Sequence, residues 1–526
     1  MADERTGRFA FFVAAGILAS RIAGLVRQSF FAHYFGASGA GDAFQAAFRI
    51  PNLLQNLFGE GVLSASFIPE YANLDARGQR DEARQVAGAV FAALVLLTSA
   101  IVLLGVTFAP ALVHVLAGGF TDDAAKTQLT TLLVQILFPG AALLVFSAWC
   151  LGVLNSHRRF LLSYSAPIAW NLVMIGALVL FGAHHTPAEL AVWLAWASVI
   201  GSGAQFAVQL PTVIRVAGRI RPNLQFRRPA TMRVFRNFGP AMVSRGVVQI
   251  SAFIDMALAS YLPTGAVVSM AYAQTLYLLP GSLFGMSVSA AELPAMSSVV
   301  GSDSEIAQVL RERLQRGMER IAYFVVPSAA AFLALGDVMV SAFFQSGRFS
   351  HADTLWVWEI LAGSTLGLLA STLGRIDVST YYALRDTKTP LKFAVARIAL
   401  TTVLGLIFAF VVPPAFGLDP RWGAAGLTAS AGLAGWIEFA LLRRGLTKRI
   451  GRTGLRLAYV GTLWLAALGA AAVGSLWRLV PFAHQRYVLA VLALGTFGAA
   501  YVLFTVWLRV PAAMAFASDL RRRIRV

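Results

Sequence analysis

Fourteen stretches of mostly apolar sequence, each long enough to cross a bilayer as a helix, follow one another along this chain of 526 residues. A crossing takes about 20 such residues, because a helix rises about 1.5 Å per residue and the hydrocarbon layer is about 30 Å thick. The stretches lie near 9–36, 42–68, 86–116, 128–155, 161–182, 188–211, 234–261, 264–295, 318–345, 354–382, 391–412, 422–442, 456–477 and 486–508. Helices satisfy their backbone hydrogen bonds within one segment where no water reaches, so the pattern predicts an all-α polytopic membrane protein. The composition agrees: 58% of residues are hydrophobic and 13% charged, against about a quarter charged in soluble domains. The net charge of +18 does not mark a nucleic-acid binder, since a mean hydropathy of +0.69 would expose far too much apolar surface to water. The single cysteine, Cys150, excludes a disulfide framework and a cysteine-based metal site.

Basic residues alternate between the connecting segments. The N-terminal tail with Arg5 and Arg8 and the segments 69–85, 156–160, 212–236, 301–320, 383–392, 443–456 and 509–526 hold 32 Lys and Arg, while the segments of opposite parity hold five, counting Arg486 at the edge of the last span. By the positive-inside rule both termini are expected in the cytoplasm. The stretch Phe9 to Ala19 has the length of a signal-peptide core, but Arg21 and Arg27 follow at once, without a small-residue cleavage site, and it reads as the first span. The longest polar segment, Arg215 to Arg236, carries seven arginines and reads as a cytoplasmic linker that touches anionic lipid headgroups.

An internal repeat organises the spans. Ser20-Arg21 recurs as Ser244-Arg245, Leu57-Phe58-Gly59 as Leu283-Phe284-Gly285, and Ser-Ala-x-x-x-Pro occurs at Ser64 to Pro69 and at Ser289 to Pro294, at offsets of 224, 226 and 225. Six spans per repeat give both halves the same orientation and a pseudo-twofold axis along the membrane normal. The expected architecture is two pseudo-symmetric six-helix lobes, 1–225 and 226–450, followed by a C-terminal helix pair and basic tail, 451–526. Such lobes facing a central cavity are the usual form of an alternating-access transporter.

Charge inside the spans marks the expected cavity. Arg21, Arg27, Arg49, Arg245, Arg375 and Arg397 fall within them and would cost on the order of 15–20 kcal/mol if they faced lipid, so they must meet protein, water or ligand. Arg397 lies near the cytoplasmic end of its span, where snorkelling suffices. Asp42, Gln45, Arg49, Asn52, Asn56 and Glu60 are spaced 3, 4, 3, 4 and 4 and share one helix face about 27 Å long, the expected wall of a water-filled cavity. Pro51 within that stripe permits a bend. Arg21 and Arg245 occupy equivalent repeat positions. Two converging guanidinium groups suit a doubly charged anion such as a pyrophosphate, which arginine binds bidentately; the alternative is that each arginine pairs with an acid, Asp42, Asp255 or Glu292. No Walker A sequence occurs, the histidines lack metal-ligand spacing, and no catalytic constellation can be assembled, so the expectation is a transporter rather than an enzyme, without cofactor. Its energy would come from a monovalent ion gradient or the membrane potential, with Asp42, Asp255, Glu292 and Asp377 as candidate cation sites.

The run Ser20-Arg21-Ile22-Ala23-Gly24-Leu25-Val26-Arg27, with Phe35-Gly36, Asp42-Ala43-Phe44, Phe48-Arg49-Ile50-Pro51-Asn52-Leu53-Leu54, Glu60-Gly61 and Phe67-Ile68-Pro69, resembles the opening of the MurJ (MviN) family of lipid II flippases. Gly239-Pro240-Ala241, Gln249-Ile250-Ser251 and Tyr381 through Pro390 (YYALRDTKTP) resemble that family too, so the resemblance covers nearly the whole chain. It implies the superfamily of multidrug, oligosaccharidyl-lipid and polysaccharide exporters. It also implies a central cationic cavity for the pyrophosphate-sugar-peptide headgroup and a groove along the last two helices for the polyprenyl tail. Carried over residue by residue, it implies substrate-cavity roles for Arg21, Arg27, Asp42, Arg49, Glu60 and Arg375, which Asn52 of the polar stripe and Arg245 of the internal repeat are expected to join. The chain departs from the family at Gln28, Gln55 and Thr275, where members carry charge, and at Arg245, Asp255 and Glu292, where they are uncharged. That pattern suggests a divergent branch in which one cavity arginine has moved from the eighth span to the seventh.

The expected function is movement of lipid II, the undecaprenyl-pyrophosphate-linked peptidoglycan precursor, from the cytoplasmic to the periplasmic leaflet of the bacterial inner membrane. The chain would act as a monomer among membrane lipids and alongside cell-wall synthesis partners. A flippase for another polyprenyl-linked glycan and a drug exporter of the same superfamily are the alternatives. The surplus of arginine argues against export of organic cations.

Overall fold

The computed structural model describes residues 2–58, 60–297, 299, 301–480 and 485–514, with side chains described throughout except at 2–15, 60, 240, 241, 243–245, 247, 248, 286, 290, 291, 294, 295 and 303. Every element in it is helical. Two compact units form, Met1–Val268 with Ser346–Phe349, and Ser269–Gln345 with Ser350–Val526.

The first unit contains α1 (Ala2–Phe35), α2 (Gly39–Phe58), α3 (Glu60–Ala76), α4 (Arg80–Thr107), α5 (Ala109–Leu116), α6 (Ala124–Ser156), α7 (Phe160–Ser165), α8 (Pro167–Phe181), α9 (Pro187–Ala217) and α10 (Pro229–Ser260). At its centre α6 packs against α2, α3, α4 and α9. Local sequence sets the helix ends. The Thr186 hydroxyl and the Glu189 carboxylate form a reciprocal cap at the start of α9, satisfying backbone groups that the first turn leaves open. Gly218, with φ of 77°, stops the same helix as only glycine does without strain. The arginine-rich linker that follows is pinned to α4: Arg84 Nε donates to Ala217 O at 2.8 Å, and Asn223 Nδ2 to Gln85 O at 2.9 Å.

The second unit contains α11 (Ala266–Pro280), a π-helical turn at Gly281–Met286, α12 (Ser287–Ser297), α13 (Asp303–Phe344), α14 (His351–Thr365), α15 (Leu368–Ala383), α16 (Lys388–Leu406), α17 (Val412–Ala415), α18 (Trp422–Ile450), α19 (Leu457–Ser475) and α20 (Arg486–Trp507), with the first residues of α11 grouped with the first unit. Here α13 is central, packing on α14, α15, α19 and α20, while α18 packs on α14, α15 and α16. The terminal pair is fastened to α13: Tyr501 Oη donates to Tyr323 O at 2.7 Å and Tyr459 Oη to Glu319 O at 3.0 Å. The turn between α15 and α16 is closed by Asp386, whose carboxylate accepts the Thr389 hydroxyl at 2.6 Å, the Thr389 amide at 3.0 Å and Arg449 Nη2 at 2.6 Å. The Thr389 bonds first, and Arg449 after them, hold the Asp386 carboxyl down at about 2.

Among the described residues nine helices are long and apolar enough to cross a membrane, and ten if α14 and α15, which meet at a 41° bend, count as one broken span. The other four expected spans correspond to α1, α2 with α3, α10, and α11 with the π-helical turn and α12. These four carry most of the polar residues expected to line a cavity. At the α14–α15 bend, a Cβ on Gly367 would lie 2.4 Å from the Cα of Gly432 on α18, so two glycines are what let these backbones touch.

Candidate functional site

The polar residues of α1 and α2 are positioned by neighbouring helices of the first unit. Arg27 is half-buried on α1, where Nε donates to Asn171 Oδ1 at 3.0 Å and the guanidinium lies 5.1 Å from the centre of the Trp170 ring. Both partners come from the first turn and a half of α8, and both are themselves held: Trp170 Nε1 donates to Ser198 O on α9 at 3.2 Å and Asn171 Nδ2 to Pro167 O at 3.0 Å. Arg27 is therefore a preorganised cation with one edge and one face occupied. Arg21, nearly two turns earlier, is exposed and has no bonded partner among the described residues, and Gln28 is buried.

Along α2 the stripe divides into two environments. Asp42 is 1% exposed, and its carboxylate accepts Lys126 Nζ at 2.8 Å, the Gly265 amide at 2.7 Å and the Val268 amide at 2.9 Å. It thus joins α2 to the start of α6 and caps the N-terminus of α11, where a negative charge meets open backbone N–H groups. Lys126 is also buried, with Nζ 3.9 Å from the centre of the Phe120 ring. Gln45, Arg49 and Asn52 are half-buried and Asn56 is exposed. These residues run beside α10: Arg49 Nη1 donates to Ala252 O at 3.3 Å, Asn56 Nδ2 donates to Gln249 Oε1 at 3.2 Å, and the Asp255 carboxylate acts electrostatically on Arg49. The side chains of Glu60 and Arg245 lie outside the described residues, so the convergence of Arg245 with Arg21 falls outside them too.

The remaining predicted residues belong to the second unit. Arg375 is exposed on α15. Glu292 on α12 pairs with Arg313 on α13 at 3.2 Å. Asp377 is 0% exposed on α15, and neither carboxylate oxygen has a hydrogen-bond partner. Arg397 pairs within the unit, Nη1 to Glu438 Oε2 on α18 at 3.2 Å, which offsets part of the cost of its burial. The geometry brings Arg49 together with Asp255, and Asp42 with Lys126. Sequence reasoning missed Lys126, Asn171, Trp170 and Glu438. Lys126 carried a signal, as one of only five basic residues on connecting segments of the opposite parity; the other three sit in apolar or ordinary helical contexts that single out nothing. No group of three or more His, Cys, Asp and Glu that could hold a metal occurs among the described residues.

Half-buried guanidinium groups on polar membrane helices can bind an anion through paired N–H···O bonds. A family model described as lipid II flippase MurJ matches residues 31–498. A lipid II flippase MurJ of Burkholderia cenocepacia is 31% identical over 442 residues, covering 83% of each chain. A probable lipid II flippase MurJ of Rhizobium tropici is 33% identical over 450 residues, covering 82% of this chain and 80% of that one. Among solved structures, a lipid II flippase MurJ in an inward closed conformation superimposes with a TM-score of 0.76 at 23% identity, over 95% of this chain and 99% of that one. An inward-facing multidrug transporter of the MATE family and MOP superfamily gives 0.63 at 16% identity, over 83% and 96%. The fold is thus shared with these two solved structures, and by its match over residues 31–498 the chain belongs to the lipid II flippase MurJ family.

Proposed function

We propose that this chain moves lipid II from the cytoplasmic to the periplasmic leaflet of a bacterial inner membrane, acting as a monomeric transporter with both termini in the cytoplasm. The observation that carries the reading is Arg27, held by Asn171 and Trp170 in a helix of a chain that belongs to this family. A pyrophosphate loses much of its hydration on entering a membrane protein, and guanidinium groups offset that loss through paired N–H···O bonds. Arg21, Arg27 and Arg49 would receive the headgroup, with Arg245 and Arg375 completing the basic wall. Asn52 and Glu60 would hydrogen-bond its sugars and peptide. Asp42, spent on Lys126 and two amides, would act as a joint that fixes α2 rather than as a ligand to the headgroup. The lobes 1–225 and 226–450 would rock about their interface while the polyprenyl tail stays in lipid along the pair formed after residue 451. Transport needs only a difference in headgroup affinity between the two states, not tight binding.

The test is replacement of the native lipid II flippase in a bacterium by this chain, with outer-leaflet lipid II as the readout. Restoration is expected for the wild-type chain, and Arg27→Ala should reduce it to background at equal membrane insertion. A correctly inserted wild-type chain that restores nothing would refute the assignment.

A further inference from the structure

Among the described residues Asp377 is the one ionisable side chain that is fully buried with no hydrogen bond to either of its terminal oxygens. Its neighbours on α15 tie that helix on three sides. Ile376 lies where a Cβ on Gly317 of α13 would meet it at 2.2 Å, Thr380 Oγ1 donates to Ile376 O and to Met296 Sδ of α12, and Tyr381 Oη donates to Leu442 O of α18 at 2.9 Å. The charges on the packed helices are mostly committed elsewhere. Glu292 of α12 and Arg313 of α13 pair with each other, Arg397 of α16 pairs with Glu438, Arg449 of α18 pairs with Asp386, and Glu359 of α14 responds to Asp419 and Arg421. On α15 itself Arg375 is exposed. Arg443 of α18 is the charge that acts on Asp377, while its guanidinium bonds Thr453 Oγ1 at 3.3 Å and Met318 Sδ at 3.4 Å and lies over the Phe439 ring.

A carboxylate ion in such a place would have given up its hydration for nothing, whereas the neutral acid avoids that loss. A metal cation would need several oxygen ligands to replace its own water, and one isolated carboxyl supplies too few. A proton needs only one. Asp377 lies six residues, about 9 Å of helix, before the last residue of α15, which leads into the basic turn closed by Asp386.

We propose that Asp377 is a proton-binding site, and that loss of its proton to water at that end of α15 leaves a carboxylate that draws Arg443 across from α18. The O–H bond breaks, the electron pair stays on the carboxylate, and the guanidinium exchanges its Met318 contact for an ion pair, shifting α18 along α15. This deepens the proposed function and rests on it, because it makes the proton the coupling ion of lipid II movement.

The full-length protein in lipid nanodiscs is examined by infrared difference spectroscopy during pH titration, as wild type, Asp377→Asn and Asp377→Glu. A protonated-carboxyl band near neutral pH that is absent in Asp377→Asn and shifted in Asp377→Glu is expected. Asparagine matches the neutral acid in shape, and a preserved thermal midpoint certifies the fold. No such band in the wild type overturns the proposal. In proteoliposomes with labelled lipid II, a gradient of one pH unit should raise the wild-type rate by up to about tenfold, the change in proton concentration, while the ratio of rates with and without the gradient is near one for Asp377→Asn. Equal ratios for wild type and Asp377→Asn overturn the coupling and leave a structural acid. If the wild type moves no lipid II under either condition, the functional reading fails while the infrared titration still decides the proton site.

Discussion

Lys126 and Asp42 show what a single residue can and cannot announce. The spacing along α2 places Asp42 on the polar face, and the structure finds its carboxylate there, but 84 residues separate it from the lysine that neutralises it. Periodicity tells which face a side chain is on, never which distant element arrives to meet it. The same limit hides Asn171 and Trp170 behind Arg27, whose charge alone was conspicuous. Removing one partner of a buried pair strands the other, which costs roughly 3–5 kcal/mol. Asp42→Asn and Lys126→Met should therefore each lower the thermal midpoint of the purified full chain by several degrees. The double variant should be less damaged than the sum of the two, as expected for residues that act as a pair. Strictly additive losses would show that the two charges do not depend on each other.

The elements were legible as lengths and apolar runs but not as shapes. The expected span at 354–382 is in fact α14 and α15 with a 41° bend between them, and the run at 264–295 passes through a π-helical turn at Gly281–Met286. Hydropathy is the same on both sides of a bend, so the break is invisible without its cause, which lies on another helix. Gly432 of α18 allows the backbone at Gly367 to come into contact, and Trp436 Nε1 of the same helix donates to Leu366 O at 2.7 Å. A Cβ on Gly432 would sit 2.7 Å from the Gly367 nitrogen, whereas one on Gly435 meets nothing within 4 Å. Gly432→Ala should destabilise the protein by roughly 1–3 kcal/mol, as overpacking does, and slow lipid II movement in proteoliposomes. Gly435→Ala serves as the matched control on the same helix and should leave both measurements near wild type.

For the whole molecule, class and family were legible because they depend on sums and motifs, many apolar runs and one run of basic and glycine residues. Orientation depends on another sum, 32 basic residues against five, and is directly measurable. Cys150 is buried and free, so an impermeant maleimide should leave the wild-type chain unlabelled in spheroplasts. Phe416→Cys, at an exposed position before α18, should label from outside; Gln79→Cys, exposed between α3 and α4, should label only after permeabilisation. The reverse pattern would invert the proposed topology and with it the direction of transport. The long helix at the centre of the second unit carries a mechanical consequence. With 42 residues, α13 is about 63 Å long, twice the thickness of the hydrocarbon layer, and Tyr501 and Tyr459 lash the terminal pair to it. A tilt of about 10° around its midpoint would swing each tip by roughly 5 Å, given that length. Whatever grips the charged segment before residue 320 thus holds one arm of a lever whose pivot, around Glu319 and Tyr323, is where Tyr459 and Tyr501 tie in the terminal pair.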